Sequence, residues 1–338
     1  MSTLDKILKM RAPAGDLGVE VEVEWSPLRT PSTVANASNI PHWIMKSDGS
    51  LQHGNEFVTR QPAKMCPELK TKKLDPLFAV IGPHVQKGAF RASTHVHVNA
   101  LRLTPLELMN TATLWWLVED LMMDYCGDER KTNRYCAPIN TNSGNFERLL
   151  ELFSTGDALC AGRISDRGDL GERYMALNFS ALLKFGSLEY RGMRASHESE
   201  SVYNWMRTLH RLQLDLSRQF KHPLSITDKF LAVKDKKAFI KNIIGPYINI
   251  EVGDEQVDMV EEQLLFIYPW AVMTDNWQEW EKDIITRATE KKEAPVNPNT
   301  TDARYASHLA ESAGVNLAAS YYRPMNTVGW STTEFNDE

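Results

Sequence analysis

Cysteine is scarce in this chain. Four residues, Cys66, Cys126, Cys136 and Cys160, are scattered through 338, with no CxxC pair. That excludes a disulfide framework or a zinc knuckle, and the four read as reduced packing residues of a cytoplasmic protein. Long apolar runs are also missing. The most apolar helical stretch, 114–123, contains Glu119 and Asp120, and nothing approaches the roughly 18 residues of a membrane span. The first residues carry no signal-peptide pattern. There is no excess of positive charge: the net charge of −6 argues against a dedicated nucleic-acid binder or a polybasic membrane anchor. Neither GxGxxG nor GxxxxGK followed by Ser or Thr occurs, so any nucleotide is held in some other way. No internal repeat is visible.

What is present is a period of two. Gly18 to Trp25 alternates valine and glutamate three times, the pattern of a β-strand. Val19, Val21 and Val23 share the core side. Glu20, Glu22 and Glu24 share the other, spaced about 6.6 Å apart. By itself the segment reads as the wet face of an amphipathic strand. The alternative is a wall of carboxylates around Mg²⁺, which prefers hard oxygen ligands. The same period recurs three times. A strand over 42–46, a Ser47–Ser50 turn and a strand over 51–60 carrying Glu56 form an antiparallel pair. His95 and His97 share a face in the strand 90–103. Glu189 and Arg191 share a face beyond it, with Tyr190 opposed. Each alone has a plain reading: satisfied strand histidines, or a same-face ion pair of small worth. Together they describe one sheet whose polar side gathers carboxylates, imidazoles and a guanidinium, suited to divalent metal and phosphate.

The remaining segments read as helices. Thr104-Pro105-Leu106-Glu107 is a capping box with proline at the first helical position, opening a helix to Cys126 with Gly127 as its stop. A helix over 75–88 is expected to be interrupted at Gly82-Pro83. The lysine-rich stretch 64–73 reads as solvated surface. Helices are expected over 199–219, 227–242, 254–266 and 274–291, then a linker over 294–301 and a last helix over 302–320. Strands first and helices after argue for α+β with a largely antiparallel sheet. The boundaries expected are 1–195 for the sheet region, 196–292 for a helical region completing the same domain, and 293–338 for a linker, short helix and polar tail.

The set Gly18-Val-Glu20-Val-Glu22, Asp48-Gly-Ser-Leu with Gly54-Asn-Glu56-Phe-Val, His95-Val-His97-Val, Arg173-Tyr-Met-Ala-Leu-Asn178 and Gly186-Ser-Leu-Glu189-Tyr-Arg191 resembles the amidoligase family. That family belongs to the carboxylate–amine ligases related to glutamine synthetase and γ-glutamylcysteine synthetase. The resemblance runs from Gly18 to Arg191. It implies a curved antiparallel sheet of the glutamine-synthetase-like type, helices on its outer face, and ATP with two or more Mg²⁺ (or Mn²⁺) on the concave face. It implies a ligase that forms an amide from a carboxylate and an amine donor through an acyl phosphate. Glu20, Glu22, Glu56, Glu189 and His95 are the implied metal ligands. His97 and His95 are nucleotide or phosphate contacts, and Arg173 and Arg191 are phosphate clamps, with Glu189 beside them in the catalytic set. Glu24 lies outside the motif core, and Asn178 reads as structural or substrate-orienting. The family often has Cys or Gly just before its HxH, where this chain has Ser93-Thr94; these neighbours read as replaceable turn-shaping residues. Two other functions remain open from the residues: a metal-dependent hydrolase using the same carboxylates and histidines to activate water, and a non-catalytic interaction protein working through its helical half. No nucleic-acid or membrane partner is expected.

Overall fold

The computed structural model describes residues 2–27, 36–141, 143–161, 174–272 and 276–290. Arg163, Arg167 and Arg173, the 294–301 linker and the 302–320 helix lie outside them. Among the described residues, a six-stranded sheet is built from β1 (Leu17–Glu24), β2 (Trp43–Lys46), β3 (Gly54–Thr59), β4 (Thr94–Asn99), β5 (Leu177–Asn178) and β6 (Ser187–Tyr190). Its order is β2-β3-β1-β4-β6-β5 and every pairing is antiparallel. The sheet is open, with β2 and β5 at its edges. The expected hairpin is β2–β3, and the HxH strand is shorter than its sequence pattern suggests.

The apolar face follows from the alternation. Val19, Val21, Val23, Val96, Val98, Leu188 and Tyr190 are fully buried beneath helices. The Thr104 capping box forms as expected: Glu107 N–H donates to Thr104 Oγ1 at 3.2 Å and Thr104 N–H to Glu107 Oε2 at 3.0 Å. It opens α1 (Pro105–Leu117). Trp115 of α1 meets Tyr190 edge-on at 4.9 Å and Trp205 of α3 (Ser199–His210) at 6.2 Å. A π-helical turn, Arg211–Leu216, continues α3. From it Gln213 accepts from the Tyr190 hydroxyl at 3.0 Å and donates to the Val98 and Asn99 carbonyls at 3.0 and 3.2 Å. A buried amide thus ties the back of β6 to β4.

Two helices expected to be continuous are divided. The 104–126 helix breaks at Val118, and α2 (Glu119–Cys126) starts afresh. At the break the buried Glu119 carboxylate accepts from Trp115 Nε1 and Ile139 N–H, both at 2.7 Å, so a side chain takes up donors beside the interrupted ladder. The expected 227–242 helix is two, α4 (Pro223–Ala232) and α5 (Lys236–Ile244). Asp235 caps α5 by accepting from Ala238 N–H at 2.9 Å, which favours a restart over continuation. The helix expected over 254–266 runs further, as α6 (Asp254–Ala271), and α7 (Trp277–Glu290) follows. The lysine-rich stretch is helical from Pro67, with Lys70–Leu74 forming a π turn ahead of Asp75–Ile81. One hydrophobic core joins the sheet to α1–α7, from Leu4 to Ala288. No helix of the described residues is long and apolar enough to cross a membrane.

Candidate active site

The register gathers the polar face. Glu20 lies opposite His95, and Glu22 lies directly opposite Glu56. His97 lies opposite Glu189, and Glu189 opposite Asn178. Strand β6 enters from Gly186, whose positive φ of 72° ends the preceding helix; a Cβ there would meet the Leu101 side chain at 2.5 Å. Past β6, Arg191 stays on the sheet because its N–H donates to the Ala176 carbonyl at 2.9 Å. Buried Arg130 holds that exit, donating to the Arg191 and Gly192 carbonyls at 2.8 and 3.0 Å. Glu22, His95, His97 and Glu189 are all buried, although they face away from the apolar core.

The functional groups form two clusters. In the first, His95 Nδ1 lies 3.3 Å from Glu20 Oε2 and 3.4 Å from Glu189 Oε1, and His97 Nε2 lies 3.4 Å from Glu20 Oε1. Ligand atoms of Glu20, His97 and Glu189 lie within 4.8 Å of one another. Glu189 is fixed on both oxygens: Asn178 Nδ2 donates to Oε2 at 2.6 Å and Arg191 Nη1 donates to Oε1. Arg191 is itself aimed by Nε donating to the Tyr135 carbonyl at 3.1 Å. The second cluster is all carboxylate, with Glu22, Asp48 and Glu56 also within 4.8 Å. Lys46, opposite Glu56 on β2, holds its ammonium 3.7 Å from the Glu56 carboxylate.

The sequence model of one family, described as "Putative amidoligase enzyme", matches residues 22–213, more than half of the chain. The chain belongs to the amidoligase family. No curated protein matches it in sequence. Membership supports ligase activity and an enzyme. The match begins at Glu22 and ends at Gln213, so it spans β3, β4, β6 and the glutamine bracing β6 from behind. Glu20 lies just outside the match, yet it touches both histidines.

The electrostatics of this amidoligase face follow from crowding. Burial pushes the Glu56 carboxyl up, Glu20 adds repulsion, and the result is a value of about 9. Burial also opposes ionisation of Glu20, but the His95 and His97 rings beside it outweigh burial and hold that carboxyl well below the usual range. Glu189 is likewise lowered against its burial, chiefly by Arg191. Burial opposes a charged His97, and Glu20 overcomes it, so the imidazole is raised. Like charges directly opposite in a sheet destabilise it. Glu22 against Glu56 would be that arrangement, and the proton held on Glu56 relieves it.

The residues fit a divalent cation. His97 Nε2 is buried and has no hydrogen-bond partner, while its Nδ1 lies 3.1 Å from the Ser187 hydroxyl. An imidazole anchored at Nδ1 with Nε2 turned to a carboxylate is placed as a metal-binding histidine is, and a cation between the two would take the place of the proton that Glu20 favours on the ring. The carboxylate cluster suits Mg²⁺.

Sequence reasoning placed Glu20, Glu22, Glu56, His95, His97, Glu189 and Arg191 on one face, and the register brings them together. It read Asp48 only as a turn residue. Asp48 lies in the Asp48-Gly-Ser-Leu motif, and an acidic side chain shortly before the strand bearing Glu56 was the available signal. Glu24 turns elsewhere: its two oxygens accept from the Gln52 and His53 N–H groups, each at 2.8 Å. It clamps the loop leading into β3. Asn178 is structural, orienting Glu189.

Proposed function

We propose that this amidoligase is an ATP- and Mg²⁺-dependent ligase joining a carboxylate to an amine through an acyl phosphate, on a sheet of the glutamine-synthetase-like type. The observation that carries the reading is the shared face: four glutamates and two histidines from β1, β3, β4 and β6, aligned by register, with Arg191 just past β6, all but Glu20 inside the family match. Glu20, His97 and Glu189, with His95 beside them, would hold one cation; Glu22, Asp48 and Glu56 would hold another. Bound Mg²⁺ would neutralise polyphosphate charge, which is most of what phosphoryl transfer demands.

The chain's own residues do the rest. Arg191 is anchored at Nε and Nη1, and its remaining N–H groups would meet the oxygens of the transferring phosphoryl group. Asn178 and Arg191 hold Glu189 at both oxygens, so it does not swing as charge moves. Burial of the face limits loss of the activated carboxylate to water. Transfer breaks the bond from the γ-phosphorus to ADP and forms one to the substrate carboxylate. Amine attack on the carbonyl carbon then expels inorganic phosphate with loss of one amine proton. Arg173, implied by the resemblance as a second clamp, lies outside the described residues.

The test is ADP release across a panel of carboxylates and amines, with products weighed by mass spectrometry. ADP formation that needs Mg²⁺, a carboxylate and an amine together, and that is lost in Glu22→Gln and Arg191→Ala while the fold persists, is the expected result. Hydrolysis of phosphoesters without ATP would replace this reading with a metal-dependent hydrolase.

A further inference from the structure

The residue before Thr94 departs from the family's usual Cys or Gly, and the structure gives it a task. Ser93 lies opposite Glu22 and two positions before His95, on the same face. Its backbone is fixed, since its carbonyl accepts from Glu22 N–H at 2.9 Å and the next residue, Thr94, donates to the Met193 carbonyl at 2.9 Å. The buried hydroxyl therefore points between two site residues. Ser93 Oγ donates to Glu22 Oε2 at 2.5 Å and lies 2.8 Å from His95 Nε2.

A hydroxyl has one proton, and a carboxylate only accepts. With that proton on Glu22, the short contact to His95 is satisfied when Nε2 carries hydrogen and donates to Oγ. The other ring nitrogen, Nδ1, then faces Glu20 Oε2 and Glu189 Oε1 at 3.3 and 3.4 Å. A lone pair aimed at two carboxylate oxygens is satisfied by a positive charge among them. We infer that Ser93 is a positioning residue. It fixes Nε2 as the protonated nitrogen of His95, so that Nδ1 is the atom offered to a cation. By occupying Oε2 of Glu22 it also leaves Oε1 for the carboxylate cluster. One hydroxyl thus joins the two clusters and sets the donor atom each presents. Ser187 likewise holds Nδ1 of His97, leaving Nε2 turned toward Glu20. The expectation that Ser93 only shapes a turn does not survive this geometry.

The inference rests on the reading of this face as a cation site, but its test begins on the metal-free protein. Long-range ¹H–¹⁵N correlation of ¹⁵N-histidine-labelled protein, with His95 assigned by comparison with His95→Gln, reports which ring nitrogen carries hydrogen. In the wild type, Nε2 of His95 keeps its proton, with or without a second on Nδ1. In Ser93→Ala the neutral ring moves to the Nδ1–H form, because Glu20 and Glu189 then offer the acceptors. Ser93→Thr, which keeps the hydroxyl, retains the wild-type pattern. Calorimetric titration with Mn²⁺ alone should show binding weakened about tenfold or more in Ser93→Ala, the usual effect of losing such a support. A wild-type Nδ1–H form with bare Nε2 would overturn the assignment, as would an unchanged His95 spectrum in Ser93→Ala. The expected wild-type spectrum together with no Mn²⁺ binding would overturn the cation reading of the face and leave the positioning of His95 standing.

Discussion

Removing the charge of Glu56 should stabilise the metal-free protein while destroying its function. In the fold its carboxyl is pushed up to about 9, by burial first and by Glu20 next, from an ordinary value of 4.5. Between those two values the native state binds one proton more than the unfolded chain. Stability therefore falls as pH rises, by about 1.4 kcal/mol per pH unit. From pH about 4.5 to pH about 7.5 the loss is roughly 4 kcal/mol on this account, and above pH about 9 it levels off. Lys46, 3.7 Å away, opposes the shift without cancelling it. Glu56→Gln has no proton to lose, so its advantage over the wild type should be near zero at pH about 4.5 and should grow steadily toward pH about 9. Urea unfolding of both proteins in EDTA across that range measures it. Added Mg²⁺ should reverse the order, because a ligand bound only by the native state stabilises it and the variant has lost a ligand oxygen's charge. Parallel stability curves for the two proteins would refute the crowding of Glu56 against Glu20 and Glu22.

Val21→Glu places a carboxylate on the fully buried apolar face, opposite Phe57; loss of soluble folded protein, or a fall in Tm well beyond that of a surface change, is expected by circular dichroism. Glu24→Ala removes the acceptor of the Gln52 and His53 N–H groups and should lower stability by about 1 kcal/mol in denaturant titration, with the affinity of the folded protein for Mn²⁺ little changed. Asn178→Ala frees one oxygen of Glu189. ADP formation should fall by about tenfold or more while the Tm shifts little, and unchanged turnover would show that Glu189 needs no second anchor.

Several parts of this arrangement were legible in order of residues alone. Alternation in a strand is a local property: side chains two apart must share a face. That is why Glu20 with Glu22, His95 with His97, and Glu189 with Arg191 could be paired before any fold was known. The capping box at Thr104 was equally local. The helix boundaries failed where competition was not. Val118 is a break beside a carboxylate that also serves Ile139, a residue brought in from beyond α2. Asp235 could be read either as a mid-helix residue or as a cap, and only the packing of α4 and α5 against α6 decides between them.

The sequence by itself determined the faces of the strands and the kinds of chemistry those faces carry. Tertiary structure decided which residues meet. Glu20, Glu22 and Glu24 are equivalent in the alternation, yet pairing with β3 and β4 gives them three different tasks. Glu20 meets both histidines, Glu22 meets Glu56 and Ser93, and Glu24 clamps a loop. Asp48, in the β2–β3 connection, comes within reach of Glu22 and Glu56 only in the folded chain. The physical reason is that strand register is set by contacts between distant segments: His95 comes within reach of Glu20 by pairing across 75 residues of chain, a fact no local pattern contains.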